Sequence, residues 1–382
     1  MHLRTHSGCP VSRFRCVLGT RDVFTGGTWE ASLTRRSGEL SAGSEENDER
    51  HAWLAPGVFE VAPGVHRVPL PLPNDGLRAV NVYIVQDGDQ LVLIDSGWAL
   101  EEARDQLATA LGELGCSFGD IRRFLVTHVH RDHYTLGVRV RREFGVPVGL
   151  GREEQPTLET VTSGRSDRQM AHLQRCGAHE LVEELRPLAE GHDPQVEQYE
   201  LPDQWLEPGE IKLTDRTLNA IATPGHTRGH LVFLDEQAGI MFSGDHVLPH
   251  ITPSIGLEAA RARLPLGDFL DSLQLLLTYP DARMLPAHGP VVNSVHKRVR
   301  ELLDHHDERL AVTADAVSDG ASTAYEVARM LGWTRRQRAL DDLDLFNRTL
   351  AVGETAAHLD VLVERGSLAS AVVDGVDTYS MP

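Results

Sequence analysis

A chain of 382 residues exceeds one ordinary domain and falls short of three, and 41% apolar content suffices for a sizeable buried core. Acidic residues outnumber basic ones by 56 to 37, and the formal net charge of -19 disfavours nucleic acid as a partner unless a local basic patch overrides it. No run approaches the roughly 20 apolar residues of a membrane span, and the N-terminus has no continuous apolar segment of a secretory signal; a cytoplasmic protein without membrane association is expected.

Residues 1 to 52 lack periodic apolar patterning and end in SGELSAGSEENDER, a composition that cannot bury a core, so a disordered leader is expected. The cysteines Cys9, Cys16, Cys116 and Cys176 are scattered, which suggests reduced thiols rather than a disulfide framework or a CxxC metal site. From Gly57 onward, GVFEVAPGVHRVPLP, RAVNVYIVQ and QLVLIDSG are short β-branched runs between Pro, Gly and Asp turns, which predict three strands in succession. LEEARDQLATALGELG then carries apolar residues at helical spacing and ends at glycine, and IRRFLVTH reads as a further buried strand. Strand, helix, strand implies a layered α/β architecture.

Between about Glu153 and Glu200 a polar, helix-prone stretch reads as a helical lid inserted over the site. Strands resume at EIKLTD and TLNAIATPGH, and QAGIMFSGD and ARMLPAHGP repeat the pattern of an apolar strand followed by a loop. The layered α/β part is expected over residues 53 to 295. Beyond it, helical runs followed by SLASAVVDGVDTYSM, a hairpin signal around Asp-Gly, suggest a small winged-helix-like domain over residues 296 to 382.

The chemistry concentrates in THVHRDH. His128 and His130 lie two apart at the end of an extended run, so their side chains leave on one face, and Asp132 and His133 follow where the chain should turn into a helix. His226 in TPGHTRGH, Asp245 in FSGDH and His288 in LPAHGP then fall in strand-end loops. Imidazole and carboxylate sets of this kind suit Zn, Fe or Mn, and no thiolate pulls them towards a structural zinc. The inventory divides into two open metal positions.

These motifs resemble the metallo-beta-lactamase superfamily over about Gly57 to Asn293. The resemblance implies an αββα sandwich holding two divalent metal ions, with zinc expected and iron or manganese admissible. His128, His130 and His226 would hold the first metal, Asp132, His133 and His288 the second, and Asp245 would bridge them, while Asp95 in LIDSG would steady the metal loop without binding metal. True class B beta-lactamases commonly carry cysteine near the position of Asp245, so the chain looks closer to the glyoxalase II and acyl-homoserine lactonase side of the family. The 42 residues between Asp245 and His288 leave no room for the inserted domain of the beta-CASP nucleases.

The function this implies is hydrolysis of a small-molecule ester, thioester or lactone by a metal-bridging hydroxide, with Asp132 and Asp245 as catalytic residues. Tyr134, Arg228, His230 and His246 adjoin the ligands and are candidates for substrate contact. The main rival is a phosphodiesterase or endoribonuclease, because a winged-helix tail resembles superfamily members that cut RNA. Residues 296 to 382 contain 10 Arg and Lys against 15 Asp and Glu, which argues against a nucleic-acid clamp and for a tail that packs on the hydrolase or forms a homodimer interface. A non-catalytic winged-helix binding protein is the third reading.

Overall fold

The computed structural model describes residues 51 to 73, 76 to 163, 167 to 189, 198 to 256 and 258 to 382. The leader expected over residues 1 to 52 lies outside them except for its last two residues.

The first sheet runs in the order β1 (Phe59–Ala62), β2 (Val65–Pro71), β3 (Ala79–Asp87), β4 (Gln90–Ile94), β5 (Ile121–Val126), β6 (Val148–Gly151) and β7 (Gln204–Leu206). The second runs from β12 (Arg283–Pro286) through β11 (Ile240–Gly244), β10 (Leu231–Asp235) and β9 (Thr217–Ala222) to β8 (Gly209–Lys212). The alternation of side chains along each strand explains why the two sheets stack. On β3, Tyr83 and Val85 join Phe233 and Phe242 of the second sheet in one core, while Val82 and Ile84 face the helices on the other side. On β10, Leu231 and Phe233 point inward and Val232 and Leu234 outward. Both faces of these strands are buried, which is why they read as continuous apolar runs rather than as alternating ones.

Helices cover both outer faces. The first sheet is backed by α1 (Glu101–Glu113) and α2 (Arg131–Phe144), which bury Leu107, Leu111, Leu136 and Val140 against it. The insertion forms α3 (Gln155–Thr162), α4 (Asp167–Arg175) and α5 (His179–Ala189). Then come α6 (Pro265–Leu276), α7 (Val295–Ser318), α8 (Ala324–Met330), α9 (Leu345–Glu364) and a hairpin of β13 (Ala369–Val373) and β14 (Val376–Ser380). The αββα sandwich is therefore present, with a helical insertion and a small helix-and-hairpin region at the C-terminal end.

That region has no core of its own. One continuous cluster unites Leu173 and Leu181 of the insertion, Val232 of the second sheet, Phe269 of α6, and Val299, Val352 and Tyr379 from the C-terminal part. A fully buried side chain of this size contributes about 1.5–3 kcal/mol, so this shared apolar surface outweighs the surface ion pairs Arg175–Asp377 and Arg348–Glu184 that also join the segments. Among the described cysteines, Cys176 is a free, buried thiol. Among the described residues, no helix is long and apolar enough to cross a membrane.

Candidate metal centre

The strands β4, β5, β9, β11 and β12 each end just before a functional side chain: Asp95, His128, His226, Asp245 and His288. Loops at the strand ends can converge there because the sheets beneath them are rigid. β5 ends at Val126, and α2 begins at Arg131, directly after His130, so the intervening turn presents His128 and His130 while the first helical turn presents Asp132 and His133. The helix N-terminus favours the Asp132 carboxylate electrostatically.

Three imidazoles meet on one side. His128 Nε2 lies 2.9 Å and His226 Nε2 3.0 Å from His130 Nδ1. On the other side His288 Nε2 stands 3.4 Å and His133 Nε2 3.6 Å from Asp132 Oδ2. Asp245 lies between the two sets: its Oδ2 is 3.7 Å from both His226 Nε2 and His133 Nε2, and its Oδ1 is 3.4 Å from His288 Nε2. All seven expected ligand residues thus come together, in groups whose donor atoms lie within 4.8 Å of one another.

Several histidines turn the required nitrogen towards this centre because the other is already engaged. His133 Nδ1 donates to Asp95 Oδ2 at 2.9 Å, His226 Nδ1 to the Ser254 carbonyl at 2.8 Å, and His288 Nδ1 to the Ala79 carbonyl at 2.8 Å. Thr127 Oγ1 donates to Asp95 and sits 3.0 Å from His128 Nδ1. Asp95 itself adopts a φ of 60°, a left-handed conformation that costs a non-glycine residue on the order of 1 kcal/mol or more; its bonds to the Thr127 backbone N–H and to His133 hold it there. Asp95 thus contacts the Thr127 and His133 side of the turn.

Burial and mutual repulsion set the protonation states. Burial first, then neighbouring histidines, push His128 well below the usual histidine range and His130 down to about 3, and burial also lowers His226. These three rings are neutral, with lone pairs available. Burial works against charge at His133 as well, but Asp132, Asp95 and Asp245 overcome it and raise the ring to about 9; His288 is likewise raised, by Asp245 and Asp132. Burial would raise Asp132 and Asp245, yet the adjacent histidines hold both below the carboxylate range.

The buried atoms His133 Nε2, His288 Nε2 and Asp245 Oδ1 have no hydrogen-bond partner. Such orphaned groups are costly unless something else satisfies them, and a cation between carboxylates and imidazoles would do so. The donor set of nitrogen and carboxylate oxygen, without sulfur, therefore fits divalent metal ions.

Three of the candidates for substrate contact are buried side chains. Tyr134 is fully buried and its hydroxyl donates to the Glu200 carbonyl at 2.6 Å. His230 is fully buried between Thr223 Oγ1, at 2.9 Å from its Nδ1, and the Asp245 backbone N–H, which donates to its Nε2 at 3.2 Å. His246 is also fully buried, against the Phe269 ring. All three are packed against neighbouring loops and rings of the protein. Arg228 remains partly exposed and lines a cavity of about 350 Å³ beside the His226 loop.

Sequence reasoning missed Asn81 and Tyr83. Asn81 Nδ2 donates to the carbonyls of Pro286 and Gly289, both at 2.9 Å, and Tyr83 donates to Pro286 at 2.8 Å, which fixes the loop carrying His288. An asparagine inside the apolar run RAVNVYIVQ was the available signal, since a buried amide in a strand needs partners. Gly229 is another positional requirement: a Cβ there would collide with the backbone of Glu153 and Glu154.

Comparison with known proteins agrees with this geometry. The family model described as metallo-beta-lactamase superfamily matches residues 75–288. The chain is 27% identical over 320 residues to a probable metallo-hydrolase, YqjP, of Bacillus subtilis, covering 80% of this chain and 93% of the relative. It is 26% identical over 316 residues to the lactamase-like protein ptaB of Pestalotiopsis fici, covering 78% and 84%. Among solved structures, a beta-lactamase domain protein from Burkholderia ambifaria superposes with a TM-score of 0.70 at 27% identity, over 85% of this chain and 94% of the other. A metallo-beta-lactamase family protein from Thermus thermophilus gives 0.65 at 29% identity, over 85% and 100%. The chain belongs to the metallo-beta-lactamase superfamily and is a metal-dependent hydrolase of that class, with its candidate ligands in the His/Asp cluster.

Proposed function

We propose that the protein hydrolyses the acyl bond of a small ester, thioester or lactone at a two-metal centre, with zinc as the favoured metal. The observation that carries this reading is the position of Asp245, whose carboxylate lies between the two histidine sets, with Oδ2 equally far from His226 and His133 and Oδ1 towards His288. In it, His128, His130 and His226 hold one ion, Asp132, His133 and His288 the other, and Asp245 serves both. Such ions supply Lewis acidity and lower the pKa of water to about 7.

The chain's own residues supply positioning and charge. The three neutral rings bring no charge of their own, whereas Asp132 and Asp245 carry negative charge and are the groups suited to accept a hydrogen bond from an attacking water and fix its direction. Asp95, Ser254 and Ala79 hold the ring orientations through the nitrogens that face away. Most of the ligand side chains are shielded from bulk water, because His128 and His133 are fully buried and His226, Asp245 and His288 nearly so, while His130 and Asp132 are partly exposed.

A small acyl substrate fits better than RNA because the C-terminal part is acidic on balance. We read that part, winged-helix-like in its helices and hairpin, as packing support, and the protein as cytoplasmic. The test is metal-quantified protein assayed on thioesters, lactones, beta-lactams and phosphodiesters. His128→Ala and Asp245→Ala should each lose metal and turnover together; metal-free protein that hydrolyses normally would overturn the reading.

A further inference from the structure

The cavity of about 350 Å³ is lined by Arg168, Arg228 and Arg261 together with His172 and Glu258. Three guanidinium groups in one small wall stand out in a chain of net charge -19. The wall is continuous with the metal-ligand loops: Arg228 lies two residues beyond His226, and Gly256 two beyond Ser254, whose carbonyl holds His226. The inserted helices supply the opposite side through Arg168 and His172 of α4.

Existing partners do not cancel the positive charge. Arg261 is paired with Asp360 at 2.7 Å, and among the described residues Arg168 donates only to the neutral Thr160 hydroxyl at 3.2 Å. Arg228 uses its backbone N–H on Glu258, at 3.0 Å, while its guanidinium makes no ion pair among the described residues. Glu258, the one acidic residue in the wall, also accepts from the Thr157 hydroxyl. Burial pushes Glu258 up to about 7, so it is partly protonated at neutral pH, and burial pushes His172 down to about 4, so it is uncharged.

We propose that this cavity is an oxyanion subsite that receives a carboxylate or phosphate group carried by the substrate, while the bond to be cut lies at the neighbouring His/Asp cluster. The assignment of the bond to that cluster rests on the hydrolytic reading above. The volume matches a small group rather than a polymer, and guanidinium forks match the planar or tetrahedral array of oxyanion acceptors. Whether the charge sits on the acyl side as carboxylate or on the leaving group as phosphate is decided by the substrate pair that responds.

The experiment uses the full-length, metal-loaded protein and matched thioesters that are neutral, end in an acyl carboxylate, or carry phosphate on the thiol. In the unaltered protein, one charged substrate should exceed the neutral one in kcat/KM by about tenfold or more. Arg228→Gln should cut that ratio about tenfold through KM, Arg228→Lys less, and the exposed Arg168→Gln by a smaller factor. Calorimetry with succinate and inorganic phosphate should show a Kd weakened about tenfold in Arg228→Gln; an anion bound at the metals would be indifferent to that change. A ratio near one, or a ratio unaltered in both glutamine variants, overturns the subsite and leaves the hydrolytic reading standing. If no substrate is turned over, the hydrolytic reading fails, and calorimetry alone decides the subsite: loss of binding in Arg228→Gln supports it, and no binding by the unaltered protein overturns it.

Discussion

Asp95 accepts a hydrogen bond from His133 Nδ1 at 2.9 Å while its other oxygen takes the Thr127 backbone N–H at 2.8 Å, so one carboxylate fixes both ends of the THVHRDH turn. Replacing it with Asn keeps the shape but removes the charge and one acceptor. Asp95→Asn should lower metal affinity or turnover by about 10–100-fold with the fold retained, as read by metal analysis, kinetics and circular dichroism.

Metal removal should also destabilise the protein. His133 Nε2, His288 Nε2 and Asp245 Oδ1 lack partners in the protein itself, so chelation leaves buried polar atoms unsatisfied. A ligand present at about 1,000 times its Kd stabilises by about 4 kcal/mol, and the melting temperature should fall on chelation and return on adding zinc. An unaltered melting temperature would sink the two-metal assignment.

Asn81→Ala should loosen the loop that carries His288 without touching a ligand. The Gly289 carbonyl loses the Asn81 donor and the Pro286 carbonyl keeps only the one from Tyr83, at a cost of about 1–3 kcal/mol. Turnover should drop, and metal content should fall towards one ion per chain, since the set containing His288 is the one disturbed.

Glu154 provides a pH signature. Burial, with Glu258 nearby, raises it to about 8 against an ordinary value of 4.5, so the folded protein binds its proton more tightly than the unfolded chain does. The stability this contributes is fully present below about 4.5 and is lost as pH rises through about 8. Glu154→Gln, which stays neutral, should therefore gain melting temperature relative to the unaltered protein between pH 5 and pH 9, by roughly 5 °C or more. Parallel curves for the two proteins would refute it.

A chain ending before α7 should not survive as a soluble hydrolase. It would expose the cluster around Phe269, Val232 and Leu181 that α7 and α9 cover. Aggregation on expression is the expected outcome; a monodisperse, folded product would show that the C-terminal part is dispensable.

The ligand set was legible because HxHxDH and the strand-end His and Asp positions are local patterns, each tied to a strand of evident apolar character. The layered fold followed from the same runs. What the sequence did not reveal are contacts between distant segments. Tyr134, His230 and His246 adjoin ligands in the chain, yet their burial depends on Glu200, Thr223 and Phe269 from elsewhere. The support given by Asn81 to Gly289 spans 208 positions and leaves only a buried amide as its trace. In the C-terminal helices, periodicity reports an apolar face but not what covers it.

The core shared by the insertion and the C-terminal helices makes them a single unit of inheritance. The insertion walls the cavity with Arg168 and His172, and its other face is cut to fit Val352 and Tyr379. A recombinant that borrows the insertion from one relative to acquire its substrate range must borrow the C-terminal helices with it, since neither segment carries its own complement.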